Sequence, residues 1–351
     1  MEKDKVLNEI VNNTKVLMGY KTIKDNFSEF DKALGFIENE LSNYYVREYV
    51  IDNYKNLVLS NTKDKDLDVI FCCHVDVVPA EKYEGVVEDG KLYGRGSFDM
   101  KGQLSVVMSL LKNNKSNKKI GFMITSDEEI GGMCCKEILK DYNAKLAIVP
   151  DGGKNFELVV EEKGLLQLEI TAYGVTAHAS EPYKGNNPLL KLISLYENLL
   201  DIYRMPKDEN EFVTSVNLSK LNGGDANNMV PSKATMVLDI RYTKENPPEI
   251  IINDIKSLCD DIEIKILGKD SLFHVDKKLT IIKDFIKDTE KVLERKLVIK
   301  KCVATSDAIY FSEKNIPTIM MNPVGDFWHG PGEYVEIDSL YTLYEIFKNL
   351  I

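Results

Sequence analysis

The chain has 351 residues, 56 acidic and 45 basic, with a formal net charge of −11. Single cores stop growing at about 250–300 residues, so this length suits one large domain or two smaller ones. The acidic balance disfavours a general nucleic-acid-binding surface or an anionic membrane and leaves a small molecule as the expected partner.

The start mixes charges and lacks a secretory-signal pattern, and no apolar run approaches the ~20 residues needed to cross a bilayer, so a soluble, cytoplasmic protein is expected. Two adjacent cysteine pairs, Cys72-Cys73 and Cys134-Cys135, with Cys259 and Cys302, suit buried reduced thiols better than a disulfide framework.

Helical spacing covers Lys5 to Tyr20 and Asp31 to Tyr45. Asp68 to Val78 is a nearly continuous apolar run, as in a strand buried on both faces. Met100 to Leu111 reads as a helix, Lys119 to Thr125 as a strand, Glu137 to Asp141 as a helix end and Ala144 to Val149 as another strand. This alternation predicts an α/β domain with a mixed, mostly parallel sheet sandwiched by helices.

From about Gly164 the strands become amphipathic, as in Leu166-Gln-Leu-Glu-Ile-Thr-Ala172. A helix from Pro188 to Tyr203, strands at Phe212 to Leu221 and Ala234 to Tyr242, a helix from Glu249 to Asp260 and a strand at Ile262 to Leu267 give an inserted α+β, ferredoxin-like unit over residues 164–270. Residues 1–163 and 271–351 form the main domain. It resumes with a helix at Thr280 to Leu293, strands near Leu297 to Cys302 and Thr318 to Met321, and a helix from Asp338.

The run Val69-Ile-Phe-Cys-Cys-His-Val-Asp-Val-Val-Pro79 places His74 and Asp76 two apart, on one strand face, with Asp76 able to orient the histidine through its second ring nitrogen. Leu92-Tyr-Gly-Arg-Gly-Ser-Phe-Asp-Met-Lys-Gly102 is a glycine-rich loop bearing Asp99; its spacing fits neither a P-loop nor a dinucleotide fingerprint. The next two strands end in Ser126-Asp-Glu-Glu-Ile-Gly-Gly132 and at Asp151. Solvated loop acids are commonplace, but three successive strands ending in acids on the ligand-binding side of an α/β sheet point to a metal site.

These motifs resemble the M20 metallopeptidase family, which includes acetylornithine deacetylase, succinyl-diaminopimelate desuccinylase, aminoacylase, carboxypeptidase G and several dipeptidases. The resemblance runs from about Asp66 to the C-terminal helix. It implies a zinc-peptidase-like catalytic domain with two metal ions, usually zinc with cobalt or manganese as substitutes, and a smaller lid domain that commonly makes a homodimer. His74, Asp99 and Asp151 would hold one ion and Asp99, Glu129 and His329 the other, with Asp99 as bridge. Glu128 would be the general base acting on a metal-bridged water, and Asp76 the support of His74.

His178, in Gly174-Val-Thr-Ala-His-Ala-Ser180, resembles the lid histidine that polarises the scissile carbonyl, in cis or from a partner subunit. Asn228, Arg241 and Ser306 match substrate-contacting positions; Arg241 suits a two-pronged grip on a carboxylate. His274 matches no motif.

The chain departs from the deacetylase pattern at Pro150-Asp151-Gly152, where Glu-Pro is usual and the aminoacylase and dipeptidase branches are closer. It departs from the desuccinylase pattern at Ile309, where an arginine is usual, and Pro331-Gly-Glu-Tyr-Val-Glu336 is more like acetylornithine deacetylase. The expected activity is hydrolysis of an N-acyl-L-amino acid amide. A metallo-dipeptidase or carboxypeptidase is the alternative, and a non-catalytic metal-binding homologue a remote one.

Overall fold

The computed structural model describes residues 2–208 and 211–351. They fall into two compact units, residues 1–160, 274–300 and 306–351 in one and residues 161–273 and 301–305 in the other. No helix among the described residues is long and apolar enough to cross a membrane.

The first unit begins with α1 (Glu2–Gly19), α2 (Phe27–Glu40) and a hairpin of β1 (Tyr45–Ile51) and β2 (Tyr54–Ser60). The second helix ends at Glu40 rather than at Tyr45, and the hairpin begins at Tyr45 itself. Its signal is the two-residue turn Asp52-Asn53, both at positive φ, the backbone that joins antiparallel strands most tightly. Next come β3 (Asp66–His74), β4 (Val86–Glu88), β5 (Lys91–Tyr93), α3 (Lys101–Lys112), β6 (Ile120–Thr125), α4 (Cys134–Leu139), β7 (Asn143–Val149) and β8 (Leu158–Glu162).

The second unit carries β9 (Gly164–Tyr173), α5 (Pro188–Ile202), β10 (Ser215–Gly223), β11 (Lys233–Tyr242), α6 (Pro248–Leu258) and β12 (Ile262–Asp270). The chain then returns through α7 (Thr280–Leu293), β13 (Ile299–Cys302), α8 (Ala308–Glu313), β14 (Thr318–Met320), β15 (Gly325–Asp326), β16 (Tyr334–Glu336) and α9 (Ile337–Lys348).

The large sheet has the order β1-β2-β6-β3-β7-β14-β8-β13. Its centre, β6-β3-β7-β14, is parallel, while β2 joins β6 and β8 joins β14 antiparallel, so the sheet is mixed with a parallel core. Helices flank it: α1, α3, α7 and α9 pack on one another, α2 lies on β2, and α4 and α8 pack together. From Val69 to His74 every residue of β3 is buried, which is why this stretch of sequence shows no alternation.

The strand stops at His74 rather than reaching Val78. The Val75 carbonyl and Val77 amide turn away from the sheet to bond Thr22, so Asp76 sits in the loop beyond the strand.

A second, small sheet, β15-β16-β5-β4, pairs Tyr334 with Tyr93 and was not foreseen. It fastens the loop after β5, which carries Asp99, beside the loop between β15 and β16, which carries His329.

In the second unit the antiparallel order β10-β11-β9-β12 is what a βαββαβ chain gives when its first and third strands lie centrally. The inward residues Leu166, Leu168 and Ile170 of β9 pack with Leu192, Leu195 and Leu199 of α5 and Ile251 and Ile255 of α6.

Candidate metal centre

Parallel neighbours β6, β3 and β7 end on the same edge of the sheet, which collects the polar groups there. His74 is the last residue of β3, Glu128 and Glu129 lie in a short 3-10 turn after β6, and Asp151 follows β7. Asp99 enters from the loop after β5 and His329 from the loop between β15 and β16.

Donor atoms of His74, Asp99 and Asp151 lie within 4.8 Å of one another, and so do those of Asp99, Glu129 and His329. Asp99 belongs to both groups and divides its oxygens between them: Oδ1 is 3.1 Å from His74 Nε2 and Oδ2 is 3.3 Å from His329 Nε2. Glu129 Oε2 is 2.8 Å from the same His329 nitrogen.

Hydrogen bonds fix these side chains from behind. His74 Nδ1 lies 3.0 Å from the backbone carbonyl of Asp76 and 3.6 Å from its carboxylate. Because Asp76 lies past the strand end, its carbonyl stands nearest to Nδ1 and one carboxylate oxygen faces the same nitrogen from farther off. The other Asp76 oxygen accepts the Glu129 amide at 2.9 Å.

Glu333, buried, accepts the amides of Phe98 and Asp99 at 2.9 and 3.0 Å and pairs with Arg95 at 2.5 Å. Sequence reasoning gave Glu333 no role, since nothing local signals a contact spanning 234 residues.

Gly102 closes the loop where α3 begins: a Cβ there would stand 2.3 Å from the Ser97 carbonyl oxygen. Gly102→Ala is therefore expected to cost about 1–3 kcal/mol, read as a lower urea midpoint. His329 and Phe327 both hold positive φ, a backbone that non-glycine residues keep only where surrounding bonds impose it. Asp326 supplies one such bond to the Phe327 amide at 2.8 Å and also accepts Lys154 Nζ at 2.7 Å. Lys154, three residues after Asp151, lies 4.4 Å from the Trp328 ring centre and so ties the Asp151 loop to the His329 loop.

Burial opposes charge on His74, but Asp76 and Asp99 drive it well above the usual imidazole range. His329 is raised to about 10 by the hydrogen bonds its ring donates to the Asp99 and Glu129 carboxylates. Burial and the Asp99 charge push Asp151 up to about 7. Glu128 is also pushed well up, by burial, with His74 opposing and Asp151 and Asp307 adding to the rise.

A donor set of carboxylates and imidazoles that draws protons in this way suits a cation. Glu129 Oε1 points the same way, because it is buried and bonded to no protein group. The residues fit a pair of divalent ions.

Ser306 is buried, with its hydroxyl accepting the Ala308 amide at 3.3 Å and facing Met320 Sδ. Its neighbour Asp307, also buried, is pushed up to about 7 by burial while accepting the Thr125 hydroxyl at 2.8 Å. Behind this carboxylate Cys72 and Cys135 meet with sulfurs 3.9 Å apart, and no disulfide joins any cysteines among the described residues. His274 belongs to neither donor group.

Within the second unit His178 and Asn228 are neighbours: the Ala179 amide donates to the Asn228 carbonyl at 2.9 Å, and His178 bridges Met229. The Ser180 amide donates to His178 Nδ1 at 3.2 Å and the Ser180 hydroxyl lies 2.7 Å from the same nitrogen, so Nδ1 serves as acceptor and Nε2 is the ring nitrogen left to donate. Arg241 Nε donates to Asp239 at 3.0 Å, and Gln167 holds the other Asp239 oxygen at 2.9 Å.

Among curated proteins, the chain is 25% identical to a succinyl-diaminopimelate desuccinylase of Sulfurovum sp., covering 91% of this chain and 92% of that one. It is 28% identical to a protein of the same name from Rickettsia felis, covering 97% and 98%. Among solved structures, aminopeptidase PepT from Bacillus cereus superposes with a TM-score of 0.79 at 19% identity over 98% of each chain, a likeness of fold. The model of peptidase family M20/M25/M40 matches residues 70–351, so the chain belongs to that family and is a metal-dependent amidohydrolase.

Proposed function

We propose that this chain is a dinuclear zinc enzyme that hydrolyses the amide of an N-acyl-L-amino acid, releasing the amino acid and a carboxylic acid. The observation that carries the reading is Asp99, with one oxygen turned to each of two histidines. His74, Asp99 and Asp151 would hold one ion, and Asp99, Glu129 and His329 the other, with cobalt or manganese as possible replacements. Such a pair, when bound, supplies the Lewis acidity that lowers a water's pKa from 15.7 toward about 7 and polarises a carbonyl.

Glu128 takes the proton of the attacking water and passes it to the leaving amine. A carboxyl that burial raises above the usual carboxylate range holds a proton more readily, which suits that double duty. Asp76 steadies His74 through its carbonyl and Glu129 through its carboxylate.

In the second unit, His178 presents Nε2–H, the donor that a developing oxyanion needs, whether it acts in cis or from a partner subunit. Arg241, steadied at Nε by Asp239, would meet the substrate carboxylate, and Asn228 would line the same face. We further assign this unit the lid and homodimer contact; the exposed Leu190 and Tyr183 support an apolar interface. Cysteines without a disulfide among the described residues fit a reducing, cytoplasmic setting.

The curated relatives carry the name of desuccinylases. At Ile309, however, where the desuccinylase pattern has an arginine, this chain buries an alkyl side chain that offers a second substrate carboxylate no partner. A shorter acyl group, as in N-acetylornithine, therefore suits it better. The dipeptidase or carboxypeptidase reading keeps one supporting observation, Asp151 in place of glutamate.

A hydrolysis screen with added zinc or cobalt across N-acetyl and N-succinyl amino acids and dipeptides separates these readings. Turnover of acyl amino acids well above dipeptides is expected. Dipeptide hydrolysis alone would transfer the assignment to the peptidases, and no hydrolysis by metal-loaded protein would sink it.

A further inference from the structure

Lys101 opens α3 two residues after Asp99 and is fully buried. A buried ammonium is costly unless hydrogen bonds replace its water, and a cation in the first turn also opposes that helix's own dipole. The compensation comes from α1. Lys101 Nζ donates to the carbonyls of Leu17 at 3.0 Å and Tyr20 at 2.8 Å. Leu17 is in the last turn of α1 and Tyr20 just past its end; each carbonyl also accepts a turn amide, from Tyr20 and Thr22, and the end of a helix whose last turn carries no basic residue favours a cation.

Thr22, two residues beyond Tyr20 and also fully buried, grips the other ligand loop. Its hydroxyl donates to the Val75 carbonyl at 2.6 Å, and its carbonyl accepts the Val77 amide at 3.0 Å. Val75 follows His74, and Val77 follows Asp76. Gly96 lies close to both side chains: a Cβ there would lie 3.0 Å from Lys101 Cδ and 3.1 Å from Val77 Cγ1. One short segment, residues 17–22, thus holds the chain just after Asp99 with one hand and the chain just after His74 with the other. It lies outside residues 70–351, the stretch that the family match covers.

We propose that the turn after α1 is a strut that sets the separation of His74 and Asp99, with Lys101 and Thr22 as positioning residues of the metal centre. The proposal rests on the two-ion reading above. Neither side chain touches substrate; both act through the loops that carry the ligands. Groups that orient metal ligands typically change metal affinity by about 10–100-fold when removed.

The test is calorimetric zinc titration of the full chain, with the absorption spectrum of the cobalt-loaded protein and circular dichroism alongside. Wild type is expected to take up two ions. Lys101→Met and Thr22→Val are expected to fold, bind zinc about 10–100-fold more weakly and show altered cobalt bands, while Thr22→Ser, which keeps the hydroxyl, restores wild-type binding. Should Lys101→Met fail to fold, the two Thr22 variants decide. Thr22→Val with lowered thermal stability but wild-type zinc affinity and an unchanged cobalt spectrum would overturn the strut and leave the metal reading intact. A wild-type chain that binds no zinc would overturn the metal reading, and the strut with it.

Discussion

Asp99→Ala is expected to abolish tight binding at both ion positions and to lower kcat/KM by at least about 10³-fold. The metal contribution to such reactions is several kcal/mol, and each ~1.36 kcal/mol is a factor of ten. The reason is the division of its two oxygens between His74 and His329, which makes it the one residue common to both donor groups. Glu129→Ala is the control, because it removes a donor from the His329 group alone. Metal content measured on both proteins checks the expectation; an Asp99→Ala protein that keeps as much zinc as Glu129→Ala would remove the bridge from the reading.

Glu128→Gln is expected to keep fold and metal content but lose at least about 10²-fold in kcat, as loss of a general base usually does. The amide has nearly the shape of the carboxyl it replaces, but it cannot hold and return a proton. Glu128 is absent from both donor groups, so its loss should leave zinc uptake near wild type. Turnover within a few-fold of wild type, at normal zinc content, would remove Glu128 from the base role.

Much of the centre was legible in sequence because the groups at His74, Glu128-Glu129 and Asp151 close runs of buried strand, and parallel neighbours deliver their ends to one edge. Those runs are local, and their composition states them. What brings Asp99 beside His329 is different in kind. It depends on β5 and β16, three residues each, too short to show a period, and on Glu333 accepting amides far back along the chain. The family resemblance named Asp99 and His329, but only the folded chain shows what holds them.

The strand end at His74 was hidden for a related reason: Val75 and Val77 are as apolar as the strand, and the partner that draws them off, Thr22, lies 53 residues from Val75. In the second unit β9 and β11 alternate and α5 has one apolar face, so these elements could be read from local pattern, whereas β10 and β12 show no clean alternation of burial.

Trp328 is the only tryptophan in the chain, and it sits between two residues of left-handed backbone, next to His329, with Lys154 over its ring. Indole emission is sensitive to a nearby cation and to the water around the ring. The protein therefore carries an intrinsic optical probe whose whole signal originates beside one of its proposed ligands, so events in that loop need no label to be seen.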